Sequence, residues 1–184
     1  MSYASDLLVE EHEIIKRMLA VLNKAAEKLE RGDKVDPQLF LEAADFIRNF
    51  ADRCHHAKEE DILFKLMAER GIPTQGGPVG VMLTEHEYAR KYTEAMEKAT
   101  REFLEGKIQA KNTIIENARY YARLLTEHIH KENNILYPMG NRIFSSEDQT
   151  MLKEKFEEIE KNEIGEGVHQ KYLQLVQKLE KEIE

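Results

Sequence analysis

The stretch His55-His56-Ala57-Lys58-Glu59-Glu60-Asp61-Ile62-Leu63-Phe64 returns later in the chain as His128-Ile129-His130-Lys131-Glu132-Asn133-Asn134-Ile135-Leu136-Tyr137. Both copies read H-x-x-x-E followed by Ile, Leu and an aromatic residue. On a helix, side chains four apart stand one above the other, so each copy presents an imidazole and a carboxylate together. These are ligand types for iron, zinc and manganese. Two such pairs facing each other across a bundle would hold two cations. The one cysteine, Cys54, excludes an intramolecular disulfide and a cysteine-built zinc or iron–sulfur site, so nitrogen and oxygen must do the holding.

Helical periodicity supplies the elements that would position these groups. Leu8, Ile15, Leu19, Leu22, Ala26 and Leu29 predict a first helix from about Ser5 to Arg31, stopped by Gly32. Asp36-Pro37 opens a second, which carries Leu39, Ala43, Phe46, Ile47, Phe50 and Cys54 to about Glu69. After the Gly71 to Pro78 break, a third runs through Met82, Leu83, His86, Ala89 and Thr93 to Gly106. A fourth spans about Gln109 to Tyr137 and ends at Pro138-Met139-Gly140. Ser146-Glu147-Asp148-Gln149 has capping-box form and starts an amphipathic helix with Met151, Leu152, Phe156 and Ile159. Gly165 and Gly167 interrupt, and a last helix uses Val168, Tyr172, Leu175 and Leu179. The fold expected is all-α: an up-down-up-down four-helix bundle over 1–140, with one or two additional C-terminal helices over 141–184 packing on it.

The apolar stripes sort the histidines. His12 lies on the line of Leu8, Ile15 and Leu19; His86 is beside Met82 and Leu83; His128 is beside Tyr121, Leu124 and Leu125. All three point inward. His55 shares a face with Ile47 and Ala51, whereas His56 falls with Asp45, Asn49, Asp52 and Arg53, so His55 with Glu59 is preferred over His56 with Glu60. Aligning the two repeats gives the same answer, and His56 and Glu60 stay as alternative or supporting groups. His130 faces out, and His169 and Cys54 read as structural. Glu11, Glu85 and Glu127 each precede an inward histidine, but a step of about 100° per residue turns them onto a solvated face, with support of an imidazole as the lesser alternative. Arg90, one turn after His86, reads equally as a partner for a carboxylate near the site and as a surface cation. Tyr88, Tyr92, Tyr120, Tyr121 and Tyr137 read individually as packing residues, although one could line a pocket.

A single histidine on an apolar face is usually a core residue bonded to its neighbours. Four imidazoles and two carboxylates buried together without a cation would leave polar groups unsatisfied at roughly 1–3 kcal/mol each. A pair of cations removes that penalty. Ferritin-like bundles use Glu-x-x-His, and no glutamate stands three residues before any of these four histidines.

Composition removes other classes. Lys and Arg total 27 against 35 Asp and Glu, a net charge of −8, with the basic residues scattered, so nucleic acid is not an expected partner. No apolar run approaches the roughly 18–20 residues of a membrane span. The start, Met1-Ser2-Tyr3-Ala4-Ser5-Asp6, lacks a basic segment followed by an apolar one, which makes the cytoplasm the default expectation.

The order His12, His55-x-x-x-Glu59, His86, His128-x-x-x-Glu132 resembles the hemerythrin-like, HHE cation-binding family over roughly the first 140 residues. The resemblance implies two non-haem iron ions, bridged through oxygen or through the carboxylates of Glu59 and Glu132, with zinc or manganese as substitutes. His12 and His55 would serve one iron, and His86 and His128 the other. Oxygen-carrying hemerythrins have a second third-helix histidine where this chain has Arg90, and an aspartate five residues after the last histidine; here Glu132 follows it by four. The pattern is closer to relatives linked to oxygen sensing, nitric oxide or peroxide handling and iron-centre repair. Repair proteins add an N-terminal cysteine-containing segment, and here the bundle is expected to begin almost at Met1. The leading expectation is a protein that binds or senses a small diatomic ligand, oxygen first and nitric oxide second. Turnover of peroxide or nitric oxide, and iron buffering or repair with the C-terminal helices reporting to an unknown protein partner, are the alternatives.

Overall fold

The computed structural model describes residues 2–161, 165 and 167–184; Met1, Asn162, Glu163, Ile164 and Glu166 lie outside the described residues. The protein is all-α, with no strand among the described residues. Helix α1 (Ser5–Arg31) ends where Gly32 turns left-handed at φ 83° and returns its N–H to Leu29 and Lys28. Helix α2 (Gln38–Phe46) passes without a break into two wide-turned π segments, Ile47–His56 and Glu59–Leu63, and then α3 (Phe64–Glu69). Helix α4 (Gly77–Leu104) starts on Pro78 in its first turn, and α5 (Ala110–Lys131) closes the bundle.

Sequence periodicity stops the fourth bundle helix at Pro138-Met139-Gly140, and the structure does not. A third π segment, Glu132–Leu136, follows α5 and leads into α6 (Tyr137–Ile143). Pro138 sits in the first turn of α6, where a missing N–H is tolerated, and Gly140 lets the Phe144 ring lie against the backbone. Helix α7 (Ser146–Ile159) does begin with a capping box, one residue earlier than its sequence suggests: Ser145 Oγ accepts from Asp148 N, and Asp148 returns a carboxylate to Ser145 N.

Short connections place α1 beside α5, α4 beside α5 and α2 beside α4. The apolar stripes form two clusters. One contains Ile15, Ala51, Ala89, Leu125 and Ile129; the other contains Leu8, Leu63, Phe64, Met82, Leu136 and Tyr137. On every bundle helix the polar motif residues fall between a member of the first cluster and a member of the second. A polar layer therefore crosses the bundle with an apolar cluster on each side. Helix α7 adds Leu152 and Phe156 to the second cluster, and α8 (Val168–Ile183) adds Tyr172, Val176, Leu179 and Ile183 to the first. No helix among the described residues is long and apolar enough to cross a membrane.

Candidate metal centre

The polar layer holds His12, His55, Glu59, His86, His128 and Glu132, each no more than 1% exposed. Glu59 Oε2 lies 3.4 Å from His86 Nε2 and 3.8 Å from His55 Nε2. Glu132 Oε1 is 2.9 Å from His128 Nε2 and 4.0 Å from His86 Nε2, while its Oε2 is 3.2 Å from His12 Nε2. Each carboxylate thus reaches imidazoles from both halves of the bundle. The donors sort into two overlapping groups, each with ligand atoms within 4.8 Å of one another. The first position is formed by His12, His55, Glu59 and Glu132; the second by His56, His86, His128 and Glu59.

An outer ring of acceptors fixes the imidazoles. His55 Nδ1 donates to Glu11 Oε2 at 2.8 Å, His86 Nδ1 to Glu60 Oε1 at 2.7 Å, His128 Nδ1 to Glu85 Oε2 at 2.8 Å and His12 Nδ1 to Asn133 Oδ1 at 2.8 Å. An acceptor at Nδ1 selects the tautomer that leaves the Nε2 lone pair facing inward, as ligating histidines require. The ring is cyclic: α1 holds the imidazole of the second bundle helix, that helix holds the α4 imidazole, α4 holds that of α5, and the segment after α5 holds that of α1.

Two expectations from the sequence are corrected here. His56, assigned outward by its α-helical neighbours, is buried, and its ring stacks on His86 with centroids 3.7 Å apart. The cause is the π segment. Ala57 N–H bonds Asp52 O five residues back, so successive side chains are separated by a smaller rotation and two consecutive histidines enter the layer. Glu11 and Glu85, placed on a solvated face, are instead buried or largely covered. Each does turn away from its own helix's histidine, but the turn carries it into the seam with the next helix. Glu127 remains exposed, paired with Arg123, and His130 is exposed as well. Glu60 orients His86 instead of joining the inward donors. Arg90 donates to Asp52 and Glu60, anchoring the outer face of the site.

Tyr137 is the group that periodicity hid among packing residues. Its ring stacks on His12 at 5.7 Å, and its hydroxyl donates to Glu59 Oε1 at 2.5 Å. Its place five residues after Glu132, in the aromatic slot of the repeat, was the available signal.

The electrostatics are those of a layer built around positive charge. Burial works against the charged form of Glu11, yet His55 and Lys58 hold its carboxyl at about 2. Burial lowers the basicity of His128, but the Glu132 and Glu85 carboxylates outweigh it and raise the imidazole to about 10, so a cation entering the layer would take the place of its Nε2 proton against Glu132. His56 goes the other way: burial and the neighbouring imidazoles push it well below the usual range, so it is neutral. His55 Nε2, His56 Nε2, Glu59 Oε2 and both Glu132 oxygens are buried without a well-directed hydrogen bond. Such atoms cost roughly 1–3 kcal/mol each when left unpartnered. A pair of cations would turn every one of them into a ligand, so the residues present fit the metal that their types suggest. A cavity of about 510 Å³ between the second bundle helix and α4, lined by Asp52, His56, Arg90, Thr93 and Tyr121 among others, borders this layer.

Several known proteins are similar to this chain. The chain is 25% identical over 180 residues to protein Rv1995 of Mycobacterium tuberculosis and to Mb2018 of Mycobacterium bovis, covering 98% of this chain and 70% of each relative. It is 33% identical over 137 residues to the iron-sulfur cluster repair protein YtfE of Yersinia pseudotuberculosis, covering 71% of this chain and 61% of YtfE. YtfE of Pectobacterium carotovorum is 31% identical over 136 residues. The sequence profile of the Hemerythrin HHE cation binding domain matches residues 3–140, and the chain belongs to that family.

Proposed function

We propose that this chain holds two non-haem iron ions and uses them to bind or sense a small diatomic molecule, oxygen or nitric oxide. His12 and His55 serve one ion, His86 and His128 the other, and Glu59 and Glu132 reach both. The bundle over 1–140 carries this site, with 141–184 packed on it. The observation that carries the reading is the set of inward, unpartnered Nε2 and carboxylate atoms, with an acceptor behind each imidazole. Iron would supply a reversible change of oxidation state and a coordination position for the diatomic molecule.

The protein supplies the surroundings. The outer ring holds imidazole tautomers, the apolar clusters above and below exclude water, and the cavity beside His56 offers the approach. Zinc or manganese would satisfy the same donors without the same redox response. The test is metal analysis of protein purified without added metal, followed by exposure of the anaerobic ferrous form to oxygen and to nitric oxide. Two irons per chain and a change in near-ultraviolet and visible absorption are expected. An iron-replete protein whose spectrum responds to neither gas would overturn the reading.

A second reading, iron-centre repair or iron supply, is favoured by the likeness to proteins named iron-sulfur cluster repair protein YtfE. It predicts that iron leaves the loaded protein for a damaged iron–sulfur protein. Gas binding without iron loss would favour the first reading.

A further inference from the structure

The two H-x-x-x-E repeats give the layer an approximate twofold relation. His12 corresponds to His86, His55 to His128, Glu59 to Glu132, and Glu11 to Glu85. The repeats differ at five places; two of them, Ala57 against His130 and Asp61 against Asn134, lie outside the buried layer, and three touch it. His56 in the first repeat matches Ile129 in the second, Glu60 matches Asn133, and Phe64 matches Tyr137.

Each difference acts on a particular position. His56 adds an imidazole to the donors around His86 and His128, and its Nε2 has no other partner. Glu60, a carboxylate, backs His86, whereas His12 is backed by the neutral amide of Asn133. A carboxylate behind an imidazole makes it a more basic ligand than an amide does. Phe64 stacks on His86 at 6.1 Å as Tyr137 stacks on His12 at 5.7 Å, but only Tyr137 carries a hydroxyl, and it occupies Glu59 Oε1. A carboxylate oxygen that accepts a phenol hydrogen bond has less electron density to offer a cation, and the hydroxyl, 3.4 Å from His12 Nε2, lies on the His12 side of this shared carboxylate. All three differences strengthen the His86–His128 position or weaken the His12–His55 position, and none acts the other way.

We propose that the two cation positions are unequal. The one formed by His56, His86, His128 and Glu59 fills first, with His56 as an additional ligand, and the one formed by His12, His55, Glu59 and Glu132 fills second and more weakly. The inference rests on the cation pair proposed above.

The test is titration of the metal-free full-length chain with cobalt(II), followed by visible absorption and calorimetry. Two steps separated by about tenfold or more in affinity are expected. His56→Ile should weaken the tighter step. Tyr137→Phe, which removes one atom from a stacked ring, and Asn133→Glu should each strengthen the weaker step. Each substitution installs the residue that the other repeat carries at the matching place, and the last two alter the opposite side of the layer from His56. Two cations entering in one step, or a tighter step unmoved by His56→Ile in a protein that keeps its helical signal, would overturn the proposal and leave the cation pair standing. Failure to bind any cobalt would overturn both.

Discussion

Glu11 on α1 and His55 on the second bundle helix are joined at 2.8 Å inside the protein, and that one contact links two helices to the orientation of a nitrogen proposed to bind metal. The imidazole would otherwise be free to turn its Nε2 away from Glu59. Glu11→Ala is therefore expected to lower iron or cobalt affinity by about 10–100-fold, the range typical of lost partners behind ligating histidines. Glu127→Ala, which alters an exposed glutamate also placed directly before a histidine, should leave affinity unchanged. Competition with a chelator of known affinity distinguishes them. Equal affinities for the two variants would show that the ring of acceptors does not orient the ligands.

The second oxygen of Glu11 is held by Lys58, a lysine with no exposed surface, whose ammonium also reaches Glu160 at the end of α7. Removing one member of a buried ion pair strands the other, at about 3–5 kcal/mol. Lys58→Met should lower unfolding free energy by that order in urea titration of the metal-free protein. Glu160→Ala removes a half-exposed partner and should cost no more than about 1 kcal/mol. The reverse ranking would contradict the assignment of Lys58 as the counter-charge of Glu11.

Much of this was legible in the chain. Gly32 ends α1 because its left-handed conformation suits glycine, and the stripes through Leu8, Ile15, Met82 and Leu125 brought His12, His86 and His128 to one layer. What escaped has two physical causes. Periodicity assumes α-helical rotation, so the π segment hid His56, and the π segment after Glu132 carried the helix past Pro138. Periodicity also sees one helix at a time. It turned Glu11 and Glu85 away from their own histidines, correctly, but could not show that the next helix has a histidine waiting there.

The docking of α8 should weaken at alkaline pH. Tyr172 is buried among Phe46 and Phe50, and its hydroxyl donates to Asp45 Oδ2 at 3.0 Å. Burial, with the Asp45 carboxylate, pushes the phenol up from 10 to about 12. A raised folded-state value means that the stabilisation is fully present below pH 10 and is lost as pH rises through 12. Melting temperatures of the native protein and Tyr172→Phe should therefore converge between pH 10 and 12. A constant gap across that window would show that the phenol proton does not hold α8.

Cys54 is expected to be chemically silent in the folded protein. It is 3% exposed, and burial together with the nearby Glu11 carboxylate pushes its thiol up to about 12. The thiolate is the reactive form, so at pH 8 the folded protein offers neither the charge nor the access that alkylation needs. Iodoacetamide should label Cys54 only at the rate at which the bundle opens, and labelling should become rapid in denaturant. Cations bound as proposed would stabilise the closed bundle next to Cys54, so loading the protein with cobalt should slow labelling further. Fast labelling of the native protein at pH 8, unaffected by cobalt, would place the thiol outside the packed seam between α1 and the second bundle helix.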